Sequence, residues 1–226
     1  MPVPYDLTQK TVAWAVPITL ALIVGIYFLL QSQRMKKDNP SVGKIKQGYG
    51  IFLIGWGVCR IFFTLSDFVD NAEGESVFAY TQLLLTGYVL LIFAMSLLIH
   101  AIETRIKASS SQAITKFLGI GVVILVVFWI VAISDPGIVD VARWVGLGVG
   151  IVLGLIVIVF YARLAIMSTG QVRTRVILNF LAFVLIFAGH LLDSKFVMFL
   201  IVSIIWFPAV LSALGVICFY LSQKGD

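Results

Sequence analysis

Two groups of ionisable or hydrogen-bonding residues lie within long apolar stretches of this sequence. Such residues are costly in an apolar environment and usually serve a ligand, an ion path or a partner. The first group, which we call the outer polar cluster, could bind a small polar or anionic ligand through the charge of Arg60. Arg60 could equally extend its long side chain to the nearest interface or toward Asp67. The outer polar cluster consists of Arg60, Thr64, Asp67, Gln82, His190 and Asp193.

The second group, which we call the inner polar layer, consists of Ser96, His100, Glu103 and Asn179. The spacing of three residues between His100 and Glu103 is typical of a pair at a helix end. Apolar residues such as Phe93 separate the two groups, which argues against a permanently open water pore. The two groups could still be successive sites on one gated path.

The composition identifies the chain as an integral membrane protein. Hydrophobic residues make up 61% of its 226 residues and charged residues 12%. Soluble globular proteins contain about 45–50% apolar and about 25% charged residues. The mean hydropathy is +1.08. A soluble chain of this composition would expose larger apolar patches than a monomer tolerates.

The apolar residues form seven segments, each long enough to cross a bilayer as a helix of about 20 residues. Strand-type spans would be shorter and alternating. We therefore predict an all-α integral membrane protein, a single seven-helix transmembrane bundle without a soluble domain. The segments cover roughly residues 11–31, 47–66, 77–102, 114–134, 142–165, 174–192 and 196–221.

Polar residues recur at the helical period in the second, third and sixth segments. Arg60, Thr64 and Asp67 follow one another at steps of four and three. Similar stripes extend from Gln82 to Glu103 and from Asn179 to Asp193. We predict that the three stripes face one another. The fourth segment has no such stripe, so we expect it at the periphery, toward lipid or a partner.

The charges of the connecting loops predict the orientation. Most basic residues fall in alternate loops, beginning with the connection between the first two segments, and most acidic residues fall in the others. Basic loops face the cytoplasm, so we predict an N-terminus outside, a C-terminus inside and a plasma-membrane location. The net charge of +5 is then a consequence of topology, and we expect no nucleic-acid partner.

Several cofactor-dependent classes do not fit the residues. A retinal Schiff base needs a lysine deep in the seventh segment, and none lies near Trp206 or Pro208. The two histidines, His100 and His190, fall at opposite faces of a core about 30 Å thick, so they cannot share a zinc ion. No catalytic or nucleotide-binding motif is present. We therefore expect no metal, no cofactor and no enzymatic activity.

Small residues and proline indicate where helices meet or bend. Gly146, Gly150 and Gly154 form a repeated small-residue stripe that is typical of close helix contacts, either within the bundle or between protomers. Pro208 removes a backbone hydrogen bond and is expected to kink the seventh helix.

Three functions remain open from the sequence. The first is a receptor-like sensor that binds a small polar ligand at the outer polar cluster and acts through a partner. The second is a small transporter or gated channel, and the third is a structural subunit of a membrane complex. In each case the partners are the lipid bilayer and either a second protein or further copies of the chain.

Overall fold

The computed structural model describes residues 7–73, 78–105, 112–135, 138–193 and 206–224. Within these ranges the chain forms seven helices and no strands, which confirms the all-α class. The helices are α1 (Leu7–Asp38), α2 (Pro40–Glu73), α3 (Phe78–Arg105), α4 (Ala113–Ser134), α5 (Val139–Met167), α6 (Gly170–Leu192) and α7 (Phe207–Gln223).

Six of these helices, α1 to α6, are long and apolar enough to cross a membrane. The chain is therefore a multi-pass membrane protein. The seventh predicted span is described only from Trp206 onward, and its residues 196–205 lie outside the described residues. The 17-residue α7 is apolar, and the seventh crossing stays a prediction. The orientation of the termini also stays a prediction.

The basic connection between the first two segments is helical almost throughout. α1 continues to Asp38, and α2 begins at Pro40 after a single intervening residue. Asn39 accepts a hydrogen bond from the Val42 N–H through its Oδ1 atom at 3.3 Å. Asparagine is a preferred N-cap residue, and proline suits the first helical position. The lysines, arginine and glutamines of this stretch are good helix formers.

The chain divides into two compact units. One unit contains the N-terminal stretch up to Ala21 together with the residues from Gly154 onward. The other contains Leu22–Leu153. The helices α1 and α5 each contribute residues to both units.

In the Leu22–Leu153 unit, α2 and α3 pack closely as antiparallel neighbours. A Cβ placed on Gly55 would lie 2.5 Å from the Ala94 Cβ, and one on Gly48 would lie 3.2 Å from the Ala101 Cβ. Residue numbers thus fall along α3 as they rise along α2. The small residues bring the two backbones together, as is common between transmembrane helices.

In the unit that contains Gly154 onward, α6 and α7 cross at a glycine on each helix. A Cβ on Gly189 would lie 2.5 Å from the carbonyl oxygen of Pro208, and one on Gly215 would lie 2.9 Å from the carbonyl oxygen of Ala182. A row of rings crosses the same unit from α5 through α6 to α7. Phe183 lies in its middle, with ring centroids 4.9 Å from Tyr161 and 5.0 Å from Phe219.

The helix α4 exposes much of its apolar surface. Only 22% of its most apolar stretch is buried within the chain. This exposure agrees with the predicted peripheral position toward lipid or a partner. Its exposed apolar residues include Phe117, Ile120, Val123, Val127, Ile130 and Ile133.

Candidate functional site

Arg60 is buried together with two residues that precede it on the same face of α2. Tyr49, Trp56 and Arg60 have exposed fractions of 3%, 1% and 1%. Thr64 and Asp67, further along the same stripe, are half-buried. The guanidinium of Arg60 therefore does not reach the surface of the chain. Its extension toward Asp67 and a role in ligand binding both stay predictions.

The guanidinium of Arg60 lies beside an aromatic ring. Its Cζ atom is 5.5 Å from the ring centroid of Phe63, a distance at which a cation is attracted to the ring face. The Phe63 ring is held in turn by Tyr88 of α3, at a centroid distance of 5.1 Å. The absence of a side chain at Gly87 leaves room for the same ring. The ring contacts thus position Arg60 at the α2–α3 interface.

The polar stripe of α3 is buried only in part, at Ser96 and Glu103. The face that packs inside the chain carries Leu85, Ile92 and Ile99, which have no exposed surface. Phe93 is 50% exposed and His100 is exposed as well. The expectation that this stripe faces inward is therefore wrong for Phe93 and His100. Phe93 therefore does not belong to a buried apolar layer.

Gln82 lies on a different side of α3 from the residues that meet α2. At this end α3 contacts α2 through Gly87 and Phe63. Four residues from Gln82, Thr86 accepts a hydrogen bond from the Trp129 Nε1–H of α4 at 3.2 Å. Residues four apart share a helix face. Gln82 therefore shares the face of α3 that carries Thr86, and both polar atoms of its side-chain amide are buried without a hydrogen-bond partner among the described residues.

Thr81 is a residue that the spacing does not select. Its side chain has no exposed surface, and its Oγ1 atom has no hydrogen-bond partner among the described residues. It continues the buried α3 face that carries Leu85, four residues away. The antiparallel register puts it at the end of the α2–α3 pair that carries Asp67. The spacing of the apolar residues of α3, rather than that of its polar residues, predicts that Thr81 is buried.

The other two members of the outer polar cluster lie in the unit that begins at Gly154. His190 is half-buried, whereas Asp193 is 8% exposed. The Asp193 carboxylate lies 3.4 Å from the Lys10 Nζ. It also accepts a hydrogen bond from the Trp14 Nε1–H at 3.2 Å. Trp14 is 1% exposed, so the Asp193 carboxylate is contacted by a buried indole.

The inner polar layer consists of separate local contacts. Asn179 of α6 is joined to Ser222 of α7, whose hydroxyl donates to the Asn179 Oδ1 at 2.6 Å. The Ser96 hydroxyl donates to the Ile92 carbonyl oxygen of its own helix at 2.9 Å. Glu103 accepts hydrogen bonds at the start of α4, and His100 is exposed.

The glycine stripe of α5 makes contacts within the chain. Gly146 and Gly150 lie against the ring of Tyr88, and Gly154 lies against the ring of Phe187. Of the two kinds of contact that the stripe predicts, the structure contains the intramolecular one. Pro208 is the second residue of α7. The residues preceding Trp206 lie outside the described ranges, so the kink stays a prediction.

Within the part of the chain that the structure describes, no group of three or more His, Cys, Asp and Glu side chains could hold a metal ion. Comparison of the chain with protein-family models, with curated proteins and with solved structures found no match in any of the three.

Proposed function

We propose that this protein is a receptor-like sensor of the plasma membrane that binds a small polar ligand at one end of the α2–α3 pair. The site consists of Arg60, Asp67 and Thr81. With the predicted orientation, this end faces the outside. The seven-span count and an extracellular N-terminus belong to the proposal.

The burial of Arg60 is the observation that carries the proposal. An ionisable side chain inside a membrane-spanning helix is expensive and is retained for function more often than for stability. At 1% exposure, the Arg60 charge lies in a low-dielectric environment. An anionic group there would gain more from the guanidinium than it would in water.

The neighbouring residues fit a ligand that carries more than one polar group. Asp67 shares the helix face of Arg60, nearly two turns away along α2, and can pair with a positive or donor group. The buried hydroxyl of Thr81 can donate or accept one hydrogen bond. A ligand that joins an anionic group to a hydrogen-bond donor matches this set of side chains.

Signal transfer would follow from the rigidity of the α2–α3 pair. Close contacts at Gly48 and Gly55 hold the two helices together along their length. A ligand that binds one arrangement of the helices more tightly shifts the population toward that arrangement. The change would reach the opposite end of the pair, where a partner protein would bind.

The proposal can be tested by thermal unfolding of the purified protein in lipid nanodiscs with a panel of small carboxylates. The panel would contain acetate, succinate, glycine and glutamate, each at millimolar concentration. At one hundred times its Kd, a ligand stabilises the folded state by about 2.7 kcal/mol. We expect at least one member to raise the Tm of the wild type and to have no effect on Arg60→Ala.

Arg34→Ala is the matched control, because Arg34 is an exposed arginine of α1. This variant should respond to the same ligand as the wild type does. An equal response of Arg60→Ala and the wild type would contradict the proposal. Native mass spectrometry of the same nanodiscs would report any co-extracted small molecule or protein partner.

A structural subunit of a membrane complex is the second candidate. The exposed apolar face of α4 favours it, because a partner helix could cover residues such as Phe117, Ile120 and Val127. This candidate predicts that the protein is extracted in a stable complex and that no small anion changes its Tm.

A further inference from the structure

A groove of about 200 Å³ lies between α2 and α3, at the end of the pair opposite to Asp67 and Thr81. Its polar side chains are Lys44 and Gln47 of α2 and His100 and Thr104 of α3. Its apolar wall is formed by Gly48, Ile51, Leu97 and Ala101.

The groove presents hydrogen-bond donors to its opening. Lys44 and His100 are exposed, and Gln47 is half-buried. Within the described residues, their side chains form no hydrogen bond or ion pair. The Thr104 hydroxyl already donates to the His100 carbonyl oxygen at 2.7 Å, so it contributes only an acceptor. An ammonium, an amide N–H and an imidazole N–H together suit an anion with several acceptor oxygens.

The position of the groove favours a lipid over a soluble anion. Both helices reach the boundary of their membrane-spanning stretches here, since the span of α3 ends at Thr104. The apolar wall continues along α3 toward the middle of the span. Phe93 is 50% exposed and lies on the side of α3 that carries Leu97 and His100. An acyl chain could pass along this surface while its headgroup stays in the groove.

The size of the groove fits part of a lipid rather than a whole soluble ligand. Sites for drug-sized molecules enclose about 300–1,000 Å³, and this groove is smaller. A phosphate with part of its glycerol would fit, and the remainder of the molecule would lie outside the groove.

We propose that this groove binds the phosphate headgroup of an anionic phospholipid in the adjacent leaflet. Lys44 supplies the charge, while the Gln47 amide and the His100 imidazole donate hydrogen bonds. The acyl chains lie against Leu97 and Phe93. This lipid site is separate from the ligand site proposed above, at the other end of the same helix pair.

The test is native mass spectrometry of protein in nanodiscs that contain equal amounts of phosphatidylglycerol and phosphatidylcholine. We expect the wild type to retain phosphatidylglycerol selectively. The Lys44→Ala, His100→Ala double variant should retain about tenfold less, because the loss of a charge-assisted contact corresponds to roughly one decade in Kd. Phe93→Ala should weaken retention of both lipids.

Lys116→Ala is the matched control. Lys116 is an exposed lysine in the first turn of α4. Glu103 of α3 contacts this same end of α4. An equal loss of phosphatidylglycerol from this variant would overturn the proposal, because it would indicate attraction by surface charge alone. Unchanged selectivity of the double variant would overturn it as well.

A competition arm distinguishes the source of the phosphate. Inorganic phosphate at 10 mM, on the order of ordinary buffer concentrations, should not displace the lipid if the acyl chains contribute to binding. Displacement of the lipid by inorganic phosphate would contradict a lipid site.

Arg60→Ala should leave lipid retention unchanged, so a failure of the lipid site is distinguishable from a failure of the ligand site. The Lys44, His100, Phe93 and Lys116 variants replace exposed side chains, and an unchanged Tm would verify that they fold.

Discussion

Glu103 of α3 caps the first turn of α4 through Thr115. One carboxylate oxygen accepts hydrogen bonds from the backbone N–H of Thr115 at 2.9 Å and from its hydroxyl at 2.6 Å. The other oxygen accepts from the backbone N–H of Ile114 at 3.2 Å. The first N–H groups of a helix have no partner inside the helix, and the positive end of the helix dipole favours a negative charge. Glu103 therefore accepts hydrogen bonds from N–H groups at the start of α4 that have no partner within that helix.

Replacement of Glu103 is expected to destabilise the contact between α3 and α4. Glu103→Ala removes three hydrogen bonds from a carboxylate that is 7% exposed. The loss of a helix cap costs about 0.5–2 kcal/mol, so we expect the free energy of unfolding to fall by about 2 kcal/mol. Glu103→Gln keeps an acceptor oxygen but loses the charge. In this variant the free energy of unfolding should fall by about half as much as in Glu103→Ala. Chemical unfolding in mild detergent would measure both changes.

Asp38→Ala is the control for this prediction, because Asp38 is an exposed acid at the end of α1. Exposed substitutions usually change stability by less than about 0.5 kcal/mol. Equal effects of Asp38→Ala and Glu103→Ala would contradict a specific role of Glu103 at α4.

The pair of Lys10 and Asp193 gives a second prediction. Their side chains are 9% and 6% exposed, and the charged atoms are 3.4 Å apart. Removal of one member of a buried pair leaves an uncompensated charge, at a cost of about 3–5 kcal/mol. We expect Lys10→Met to lower the free energy of unfolding by about 3 kcal/mol. The double variant Lys10→Met, Asp193→Asn should recover most of that loss.

A double-mutant cycle would measure this coupling. Additive effects of the two substitutions would indicate that the ion pair contributes nothing, contrary to the prediction. Trp14→Phe provides a reference change, because it removes the hydrogen bond from the indole N–H to Asp193. A hydrogen bond to a charged acceptor contributes about 1.5–3 kcal/mol.

The buried faces of α2 and α6 could be predicted from the sequence, whereas that of α3 could not. On α2 and α6 the spaced residues Arg60 and Asn179 need buried partners, so they mark the interior. On α3 the hydroxyls of Thr86 and Ser96 donate to carbonyl oxygens of their own helix, at 2.7 and 2.9 Å. Such residues are satisfied on any face of a helix. Their positions therefore do not identify the buried face of α3, and the stripe that they define includes the exposed Phe93.

Contacts between distant segments could not be predicted from the spacing of residues along the sequence. Trp14 and Asp193 are 179 positions apart, and no periodic pattern connects them. Nothing in the spacing identifies Thr115 as the partner of Glu103, because the contact depends on how α4 approaches the end of α3. Six of the seven spans could be predicted because an apolar stretch of about 20 residues is sufficient evidence for a crossing helix.

The α6–α7 crossing gives a third prediction. Gly189→Ala would place a Cβ 2.5 Å from the carbonyl oxygen of Pro208, which belongs to the backbone and cannot rotate away. The helices would have to separate. Overpacking costs about 1–3 kcal/mol, so we expect a loss at the upper end of this range, measured by thermal unfolding. Gly148→Ala is the control, because nothing lies within 4 Å of the added Cβ. It should be neutral or stabilise α5, since alanine favours helix by up to about 1 kcal/mol.

Replacement of Arg60 should remove the response to anions. Arg60→Met replaces a buried charge by an apolar side chain of similar length. The guanidinium is the group that would attract an anion in this low-dielectric environment. We expect Arg60→Met to abolish stabilisation by any anion that stabilises the wild type, measured as the ligand-induced shift in Tm.

A purely structural role for Arg60 predicts a loss of stability without any response to anions. If Arg60 serves only to hold the helices together, Arg60→Met would be destabilised by several kcal/mol, as is usual when one partner of a buried charge is lost. Arg60→Lys separates the two roles further. It keeps the charge but loses the planar, bidentate donor geometry of the guanidinium. A ligand site should therefore respond to anions more weakly in this variant, with little change in ligand-free stability.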